Sequence, residues 1–222
     1  MRQKLKRFEA NKHRDNILEP GKELFEKIKG NWNSLYFKND FPITIEVGCG
    51  RGEYTVGMAN LHRERNYIGI DIKGDRIYKG STEAMELDLK NVGFLRTSAH
   101  HLEDFFAESE VDEVWITFPD PRPRLRDAKR RLTHPRFMDI YQHILHQDGW
   151  VRFKTDNGPL FDFTLSEIKD GNISVFDLEY TWDLYKSELL EEHFGIQTRY
   201  EKIWSDQGER IKYLKFRFSK SN

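Results

Sequence analysis

From residue 43 onward, short apolar runs alternate with longer stretches whose apolar residues recur at helical spacing. The apolar runs predict five strands, at residues 43–47, 67–71, 92–97, 113–118 and 150–154. The amphipathic stretches predict the helices between them, at residues 53–61, 75–89, 102–107 and 135–146. Strands separated by helices of this length are typical of βαβ units, so we expect an α/β fold with a doubly wound, mostly parallel sheet. In such sheets ligands bind beyond the carboxyl ends of the strands.

The pattern becomes looser after residue 158. It predicts one more helix, at residues 160–168, and two strands, at residues 174–179 and 213–218. We expect these two strands to form an antiparallel pair at the edge of the sheet, joined by a long connection. The sheet would then be parallel except at its terminal strand.

The first 40 residues have a different character. They are charged and polar, and they contain one short helical pattern at residues 22–28. We therefore divide the chain into a basic N-terminal arm with a short helix, residues 1–40, and a main α/β domain, residues 41–222.

Composition narrows the class of protein. The mean hydropathy of −0.77 and the lack of a long apolar run predict no membrane span. The chain starts with basic and polar residues and has no apolar signal region, which favours the cytoplasm. The single cysteine, Cys49, suits a reducing compartment, and no His or Cys spacing resembles a metal site, the adjacent His100 and His101 included. We expect no bound metal.

Charge is unevenly distributed along the chain. The net charge is only −1, but one short segment is strongly basic. Against the single acid Asp127 it contains the basic residues Arg122, Arg124, Arg126, Lys129, Arg130, Arg131 and Arg136. A solvated helix start would also explain this cluster, but its position favours contact with the phosphates of a nucleic acid.

The residues just before that cluster supply a candidate catalytic acid. Asp120 lies between Pro119 and Pro121 at the end of a predicted strand. Because proline fixes its own φ and restricts the residue before it, this segment should leave the strand in a stiff, defined direction. Asp120 would be held rigidly beside a surface that attracts phosphate.

A glycine-rich loop follows the first predicted strand and is a candidate cofactor site. Its glycines, Gly48, Gly50 and Gly52, permit a tight turn and close approach of a ligand to the backbone. Asp71, at the end of the next strand, occupies the position of an acid that binds a ribose diol. The alternative is a simple turn with Asp71 capping the next helix. Glu46 before the glycines would repel a pyrophosphate but suits a cation, such as the sulfonium and amino groups of S-adenosylmethionine. These features resemble the class I methyltransferases that use S-adenosylmethionine, which have a Rossmann-like sheet.

With the Pro-Asp-Pro segment added, the sequence resembles the tRNA (guanine-N7)-methyltransferase family from about residue 43 onward. Four motifs in order carry the resemblance: residues 46–52, residues 69–71, residues 118–121 with 129–132, and the Thr-x-x-Glu motif at residues 198–201. Residues 155–156, after the fifth strand, also match a family position that contacts substrate. The resemblance implies that residues 41–222 are a methyltransferase domain.

The resemblance assigns a role to each matching residue. For the cofactor it implies Glu46, Gly48, Gly50, Gly52, Asp71, Ser98 and Asp120. Asp120 would also be the catalytic residue, close to both cofactor and guanine. For the substrate it implies Arg124, Asp156, Thr198, Arg199, Tyr200 and Glu201. For contacts with RNA phosphates it implies Arg126, Lys129, Arg130 and Arg131.

Three positions depart from the family pattern. Arg122 stands where a Trp is common, so an aromatic contact is missing or replaced. Arg124 stands where the family usually has a Lys, and its guanidinium is planar and forked. Ser98 stands where an Asp commonly faces the adenine, and it can still donate or accept one hydrogen bond.

The implied reaction is methyl transfer from S-adenosylmethionine to N7 of a guanine in the tRNA variable loop. Guanine N7 carries no proton, so the attack needs no general base. The partner would be tRNA, and we expect a monomer or a homodimer without an obligate protein partner. Two alternatives stay open: a methyltransferase acting on another RNA or a small molecule, and a non-catalytic RNA-binding module on the same scaffold.

Overall fold

The computed structural model describes residues 2–219. Residue 1 of the expected N-terminal arm and residues 220–222 of the expected main domain lie outside it. The strands are β1 (Ile17–Leu18), β2 (Ile43–Val47), β3 (Asn66–Ile70), β4 (Val92–Leu95), β5 (Val111–Thr117), β6 (Leu145–Thr155), β7 (Val175–Thr181) and β8 (Lys212–Phe218). The α-helices are α1 (Arg2–Lys12), α2 (Glu53–Leu61), α3 (Gly74–Glu86), α4 (Pro135–Ile144), α5 (Gly158–Lys169) and α6 (Arg199–Asp206). Shorter helical turns are Glu23–Glu26, Trp32–Phe37, Ala99–Asp104, Leu125–Arg130, Leu184–Lys186 and Glu188–His193.

All eight strands form one sheet in the order β1-β4-β3-β2-β5-β6-β8-β7. The pairs from β1 to β6 are parallel, and β8 is antiparallel to both of its neighbours, β6 and β7. The expected doubly wound, mostly parallel sheet with a terminal antiparallel pair is confirmed. The carboxyl ends of β2 to β6 meet at one edge, which is where a ligand site is expected.

The two faces of the sheet carry separate apolar cores, because helices cover both. Every residue of β2, β3 and β4 is buried. Ile45 and Phe153 belong to the larger core, and Trp115 and Tyr213 to the one on the other face. This double burial explains why even the polar positions of β2, Thr44 and Glu46, are buried.

The N-terminal segment is joined to the sheet and to α3. β1 pairs with β4, and α1 packs along α3, where the Asn11 side-chain amide donates to the Gly74 carbonyl at 2.8 Å. The predicted helix at 22–28 is a single short turn. A two-residue strand such as β1 leaves no periodic pattern to detect, which is why it was missed.

Local capping explains where the helix beside the site begins. The side chain of Asn157 accepts from the Leu160 N–H at 2.9 Å and caps α5, while Pro159 in the first turn has no N–H to satisfy. The predicted helix at 102–107 is instead a 3₁₀ turn over residues 99–104. None of the helices among residues 2–219 has the length and apolar character needed to cross a membrane.

Candidate active site

A cavity of about 1070 Å³ opens at the carboxyl ends of the parallel strands. Of the residues expected from the sequence, those that line it are Gly48, Asp71, Ser98, Asp120, Arg130, Asp156 and Tyr200. The structure thus brings together residues from five separate loops and from α6. The other expected residues lie behind this wall or outside it, as described below.

The glycine loop, residues 46–52, uses a backbone conformation that favours glycine. Gly48, Gly50 and Gly52 have φ values of 79°, 57° and 74°. A Cβ on Gly52 would lie 2.6 Å from the Phe94 ring, so this position has no room for a side chain. The N–H groups of Gly48 and Cys49 donate to the Ile70 carbonyl at 2.8 and 3.0 Å, which ties the loop to the end of β3.

Asp71 joins the glycine loop to the cavity. Its carboxylate accepts from the Gly50 N–H at 3.0 Å and from the Lys73 N–H at 2.8 Å. A carboxylate has about four acceptor positions, so the two oxygens keep capacity for further donors. Asp71 lines the cavity, and a pair of hydroxyl groups such as a ribose diol matches that remaining capacity.

Glu46 lies beneath the loop rather than on the cavity wall. It is 4% exposed, and it accepts from the Thr55 N–H at 2.9 Å and from the hydroxyl groups of Thr55 and Thr117. Burial raises the pKa of Glu46 to about 7, although the hydrogen bonds from Thr117 and Thr55 oppose this shift. Its charge therefore depends on pH near neutrality.

The end of β4 forms another wall of the cavity. Ser98 accepts weakly from the His100 N–H at 3.4 Å, and His100 also lines the cavity. Arg136 Nη2 lies 2.7 Å from His100 Nδ1, and the His100 ring lies 4.6 Å from that of Phe137. His100 is not predicted for this wall by any motif, because its position depends on how the chain folds after β4.

The Pro-Asp-Pro turn is held at both ends. Phe118 and Arg122 have positive φ values of 45° and 46°, which are uncommon for residues with side chains. The Phe118 N–H donates to the Lys154 carbonyl at 2.8 Å. Between these points the Asp120 carboxylate is 61% exposed and forms an ion pair with Arg122 at 3.2 Å. The turn therefore presents an accessible carboxylate at the cavity rim.

The basic segment, residues 122–131, contains exposed basic side chains and one that is buried. Arg124, Arg126, Lys129 and Arg130 are exposed. Arg131 differs from them: it is 9% exposed, donates to the Arg122 carbonyl at 3.2 Å and stacks 4.4 Å from the Phe163 ring centroid. In this position Arg131 stabilises the turn, and its guanidinium is much less accessible to phosphate than the side chains of its sequence neighbours.

Asp156 and α6 close the cavity on the side of β6. Asp156 lines the cavity, and burial raises the pKa of its carboxyl. Lys212 donates to the Asp156 carbonyl at 2.6 Å. Tyr200 and Trp204, one turn apart on α6, add two partly exposed aromatic rings to the wall. Trp204 was not selected from the sequence, because α6 itself was not predicted.

The Thr-x-x-Glu motif caps α6, and only its Tyr200 reaches the cavity wall. Thr198 accepts from the Glu201 N–H at 3.1 Å, and the Arg199 N–H donates to Glu53 at 2.9 Å. The Glu201 side chain is fully buried and pairs with Lys154 at 2.7 Å. Within residues 2–219 no group of three or more His, Cys, Asp or Glu residues is arranged to hold a metal ion.

The sheet order and the glycine loop tied to Asp71 define a class I methyltransferase. Solved structures share this fold. The 16S rRNA methyltransferase KamB superposes with a TM-score of 0.63 at 17% identity, covering 86% of this chain and 94% of that chain. The 16S rRNA (adenine(1408)-N(1))-methyltransferase from Catenulisporales acidiphilia gives a TM-score of 0.59 at 14% identity, covering 87% and 94%. A variant of that protein was solved with its cosubstrate SAM.

The chain belongs to the tRNA (guanine-N(7)-)-methyltransferase family. A family model described as "Putative methyltransferase" matches residues 40–214. The family member of Cytophaga hutchinsonii is 52% identical over 217 residues, which is 98% of each chain. That of Bacteroides fragilis is 44% identical over 85% of this chain and 73% of its own, and that of Lactococcus lactis subsp. cremoris strain SK11 is 39% identical over 86% of each. The resemblance inferred from the four motifs is confirmed.

Proposed function

We propose that this protein transfers a methyl group from S-adenosylmethionine to N7 of a guanine in the variable loop of tRNA. The observation that carries the proposal is the cavity in which a fixed glycine loop and Asp71 face Asp120 and the basic segment. The family names of the relatives, each a tRNA (guanine-N(7)-)-methyltransferase, support the same activity.

The residues of the glycine-loop side fit S-adenosylmethionine. Asp71 has free acceptor capacity for a ribose diol, and Gly48 leaves the backbone accessible at the cavity wall. Ser98 and His100 offer polar atoms at the end of β4, and Glu46 adds negative potential beneath the loop. Bound there, S-adenosylmethionine would supply a methyl group activated by a sulfonium.

The acceptor side needs alignment and negative potential rather than a base. Guanine N7 has a lone pair in the plane of the ring, and the positive charge moves from sulfur to the purine as the methyl transfers. Asp120 and Asp156, both on the cavity wall, supply carboxylates that can accept from guanine N–H groups. We assign catalysis to the alignment of the two reactants and to this electrostatic stabilisation.

RNA contacts extend the site outward. The exposed side chains of Arg124, Arg126, Lys129 and Arg130 are suited to phosphates beside the cavity. Folded RNA is recognised by its shape and backbone, together with a base that has left its stack. Unstacking the target guanine would cost a few kcal/mol, which the aromatic rings of Tyr200 and Trp204 can offset by stacking.

We further propose that the protein works in the cytoplasm as a monomer or a homodimer, with no obligate protein partner. The relatives are named as enzymes that modify tRNA, which fits the cytoplasm.

The test combines transfer of label with mapping of the product. Purified protein is incubated with labelled S-adenosylmethionine and an unmodified tRNA transcript, and the product is treated with borohydride and aniline. Cleavage at one variable-loop guanine is expected, because 7-methylguanine is the labile base. Methylation without cleavage would contradict N7 as the target, and cofactor binding without transfer would favour another substrate. Absence of cofactor binding would favour a non-catalytic RNA-binding module.

Asp120→Ala provides the matched variant for this assay. We expect kcat/KM to fall about 100-fold, as for removal of a group that stabilises transition-state charge. Asp148→Ala removes an exposed acid that does not line the cavity and should retain wild-type activity. Equal rates for the two variants would contradict the role of Asp120.

A further inference from the structure

Behind the cavity lies a buried polar cluster made by Lys154, Tyr185, His193 and Glu201. The Lys154 ammonium lies 2.7 Å from Glu201 Oε1, and the two side chains are 1% and 0% exposed. Lys154 also donates to His193 Nδ1 at 2.9 Å, and the Tyr185 hydroxyl donates to Glu201 Oε1 at 2.9 Å. The four members come from three parts of the chain, so the cluster joins β6, residues 184–193 and α6.

Lys154 lies between two walls of the cavity, the Pro-Asp-Pro turn and α6. Its carbonyl accepts from the Phe118 N–H at 2.8 Å, so the start of the Pro-Asp-Pro turn rests on the same residue. Its side chain reaches Glu201 in the first turn of α6, and its ammonium also lies 5.9 Å from the centroid of the Phe118 ring. The neighbours of Glu201 on that helix, Tyr200 and Trp204, line the cavity.

The first turn of α6 is also fixed against α2, the helix that follows the glycine loop. The Arg199 N–H donates to Glu53 at 2.9 Å, and the Ile196 side chain lies so close to Gly57 that a Cβ there would be 2.9 Å from it. A change of a few tenths of an ångström at Glu201 would therefore be transmitted to the aromatic wall rather than absorbed by a loose segment.

Stability alone does not explain a lysine in this place. A buried ion pair is often matched or exceeded in stability by apolar side chains of similar volume. The second oxygen of Glu201, Oε2, is buried and has no hydrogen-bond partner among the described residues. The pair is therefore explained by the orientation it imposes on α6 rather than by the stability it adds.

We propose that Lys154 is a positioning residue for the methyl acceptor: through Glu201 it fixes the first turn of α6 and so sets where Tyr200 and Trp204 contact the target base. The inference rests on the proposed function, since it assigns α6 to the acceptor. Lys154 does not line the cavity and acts through its neighbour, not on the reacting atoms.

Two readouts on Lys154→Met test the inference. Hydrogen exchange should become about tenfold faster in residues 199–206 and stay unchanged in residues 53–61, because only the α6 anchor is lost. The kcat/KM for tRNA should fall about 10- to 100-fold, while the Kd for S-adenosylmethionine stays within about twofold. Lys90→Met, which removes a lysine that is 85% exposed, should change neither readout.

A double-mutant cycle separates positioning from a general loss of stability. If Lys154 acts through Glu201, kcat/KM of Lys154→Met/Glu201→Gln should be no lower than that of Glu201→Gln alone. Fully additive losses would overturn the inference, as would unchanged exchange in α6. If Lys154→Met does not fold, Lys154→Met/Glu201→Met removes both charges and should fold while keeping the low kcat/KM. Hydrogen exchange needs no substrate, so it tests the anchor even if the wild-type protein does not methylate tRNA.

Discussion

The glycine loop and the basic segment face each other across one cavity but are built in opposite ways. The glycine loop is tied down through its backbone N–H groups: those of Gly48 and Cys49 donate to the Ile70 carbonyl, and that of Gly50 donates to the Asp71 carboxylate. The basic segment is held more loosely. The Phe118 N–H fixes the turn before it and Arg131 fixes its end, while the basic side chains between them that are exposed are Arg124, Arg126, Lys129 and Arg130.

The difference follows from the two kinds of ligand. A small cofactor gains affinity from preorganised contacts, which cost little to keep in place when they belong to the backbone. A polyanion gains affinity from cations that need not be fixed to an ångström, because phosphate contacts are mainly electrostatic. We therefore expect changes in the glycine loop to act on geometry and changes in the basic segment to act on charge.

The largest effect is expected at Gly52. In Gly52→Ala the new Cβ would lie 2.6 Å from the Phe94 ring, at a φ of 74°, so the loop must move. Binding of S-adenosylmethionine, measured by calorimetry, should weaken about 100-fold or more, because a displaced loop loses its alignment. Gly171→Ala is the control: its φ is 79° but nothing lies within 4 Å of the added Cβ, so it should show only a small loss of stability. Equal behaviour of the two variants would show that the clash is unimportant.

The next effect is a pH dependence from Glu46. Its pKa of about 7 exceeds the ordinary value of 4.5, so the folded protein holds this proton more tightly than the unfolded chain does. The free energy of unfolding should therefore decrease as pH rises from about 4.5 to 7. Because a cationic cofactor favours the ionised carboxyl, its affinity should increase about tenfold between pH 6 and pH 8.

Glu46→Gln provides the reference for this pH dependence. Calorimetric titrations across the pH range should show that the variant loses the wild-type slope and keeps only the slope due to the cofactor's own groups. Equal pH dependence of cofactor affinity in the two proteins would show that Glu46 does not cause it.

A third prediction compares two adjacent arginines. Arg130 is exposed, so Arg130→Ala should make the negative slope of log K for tRNA binding against log salt shallower by about 0.7–0.9. The variant should leave Tm unchanged. Arg131 is buried against Phe163, so Arg131→Ala should lower the free energy of unfolding by about 1–3 kcal/mol. Filter binding to tRNA over a series of salt concentrations, with thermal melts alongside, measures both. A reversed pattern would contradict the division of the basic segment.

The smallest effect is expected for the ion pair between Asp120 and Arg122. Both side chains are largely exposed, 61% and 42%, so Arg122→Gln should change the free energy of unfolding by less than about 1 kcal/mol. Chemical denaturation measures this change. A larger loss would mean that the basic segment is held by more than its two ends.

The two regions also differ in how far the sequence predicts them. The parallel strands and the glycine loop were predictable because their signals are local: apolar runs, and glycines with an acid at fixed spacing. Arg131 was not distinguishable from Arg130, since burial depends on the distant Phe163. The helix α6 is polar, so no apolar periodicity marks it, and the resemblance assigns Thr198 and Glu201 to substrate binding. The same Thr-x-x-Glu spacing is also a helix cap, and that second meaning would have predicted α6.

The position of β8 between β6 and β7 has a consequence for synthesis of the chain. β7 is translated before β8, yet among residues 2–219 β8 is the one strand that pairs with it. While residues 212–218 are still inside the ribosome, β7 has no strand to join and the long β6 is an open edge. Unpaired edges of this kind invite association with other chains. A ribosome that pauses before residue 212 would therefore expose an aggregation-prone intermediate. Pairing of the single short strand β8 with β6 and β7 would cover the open edge of β6 and give β7 its partner.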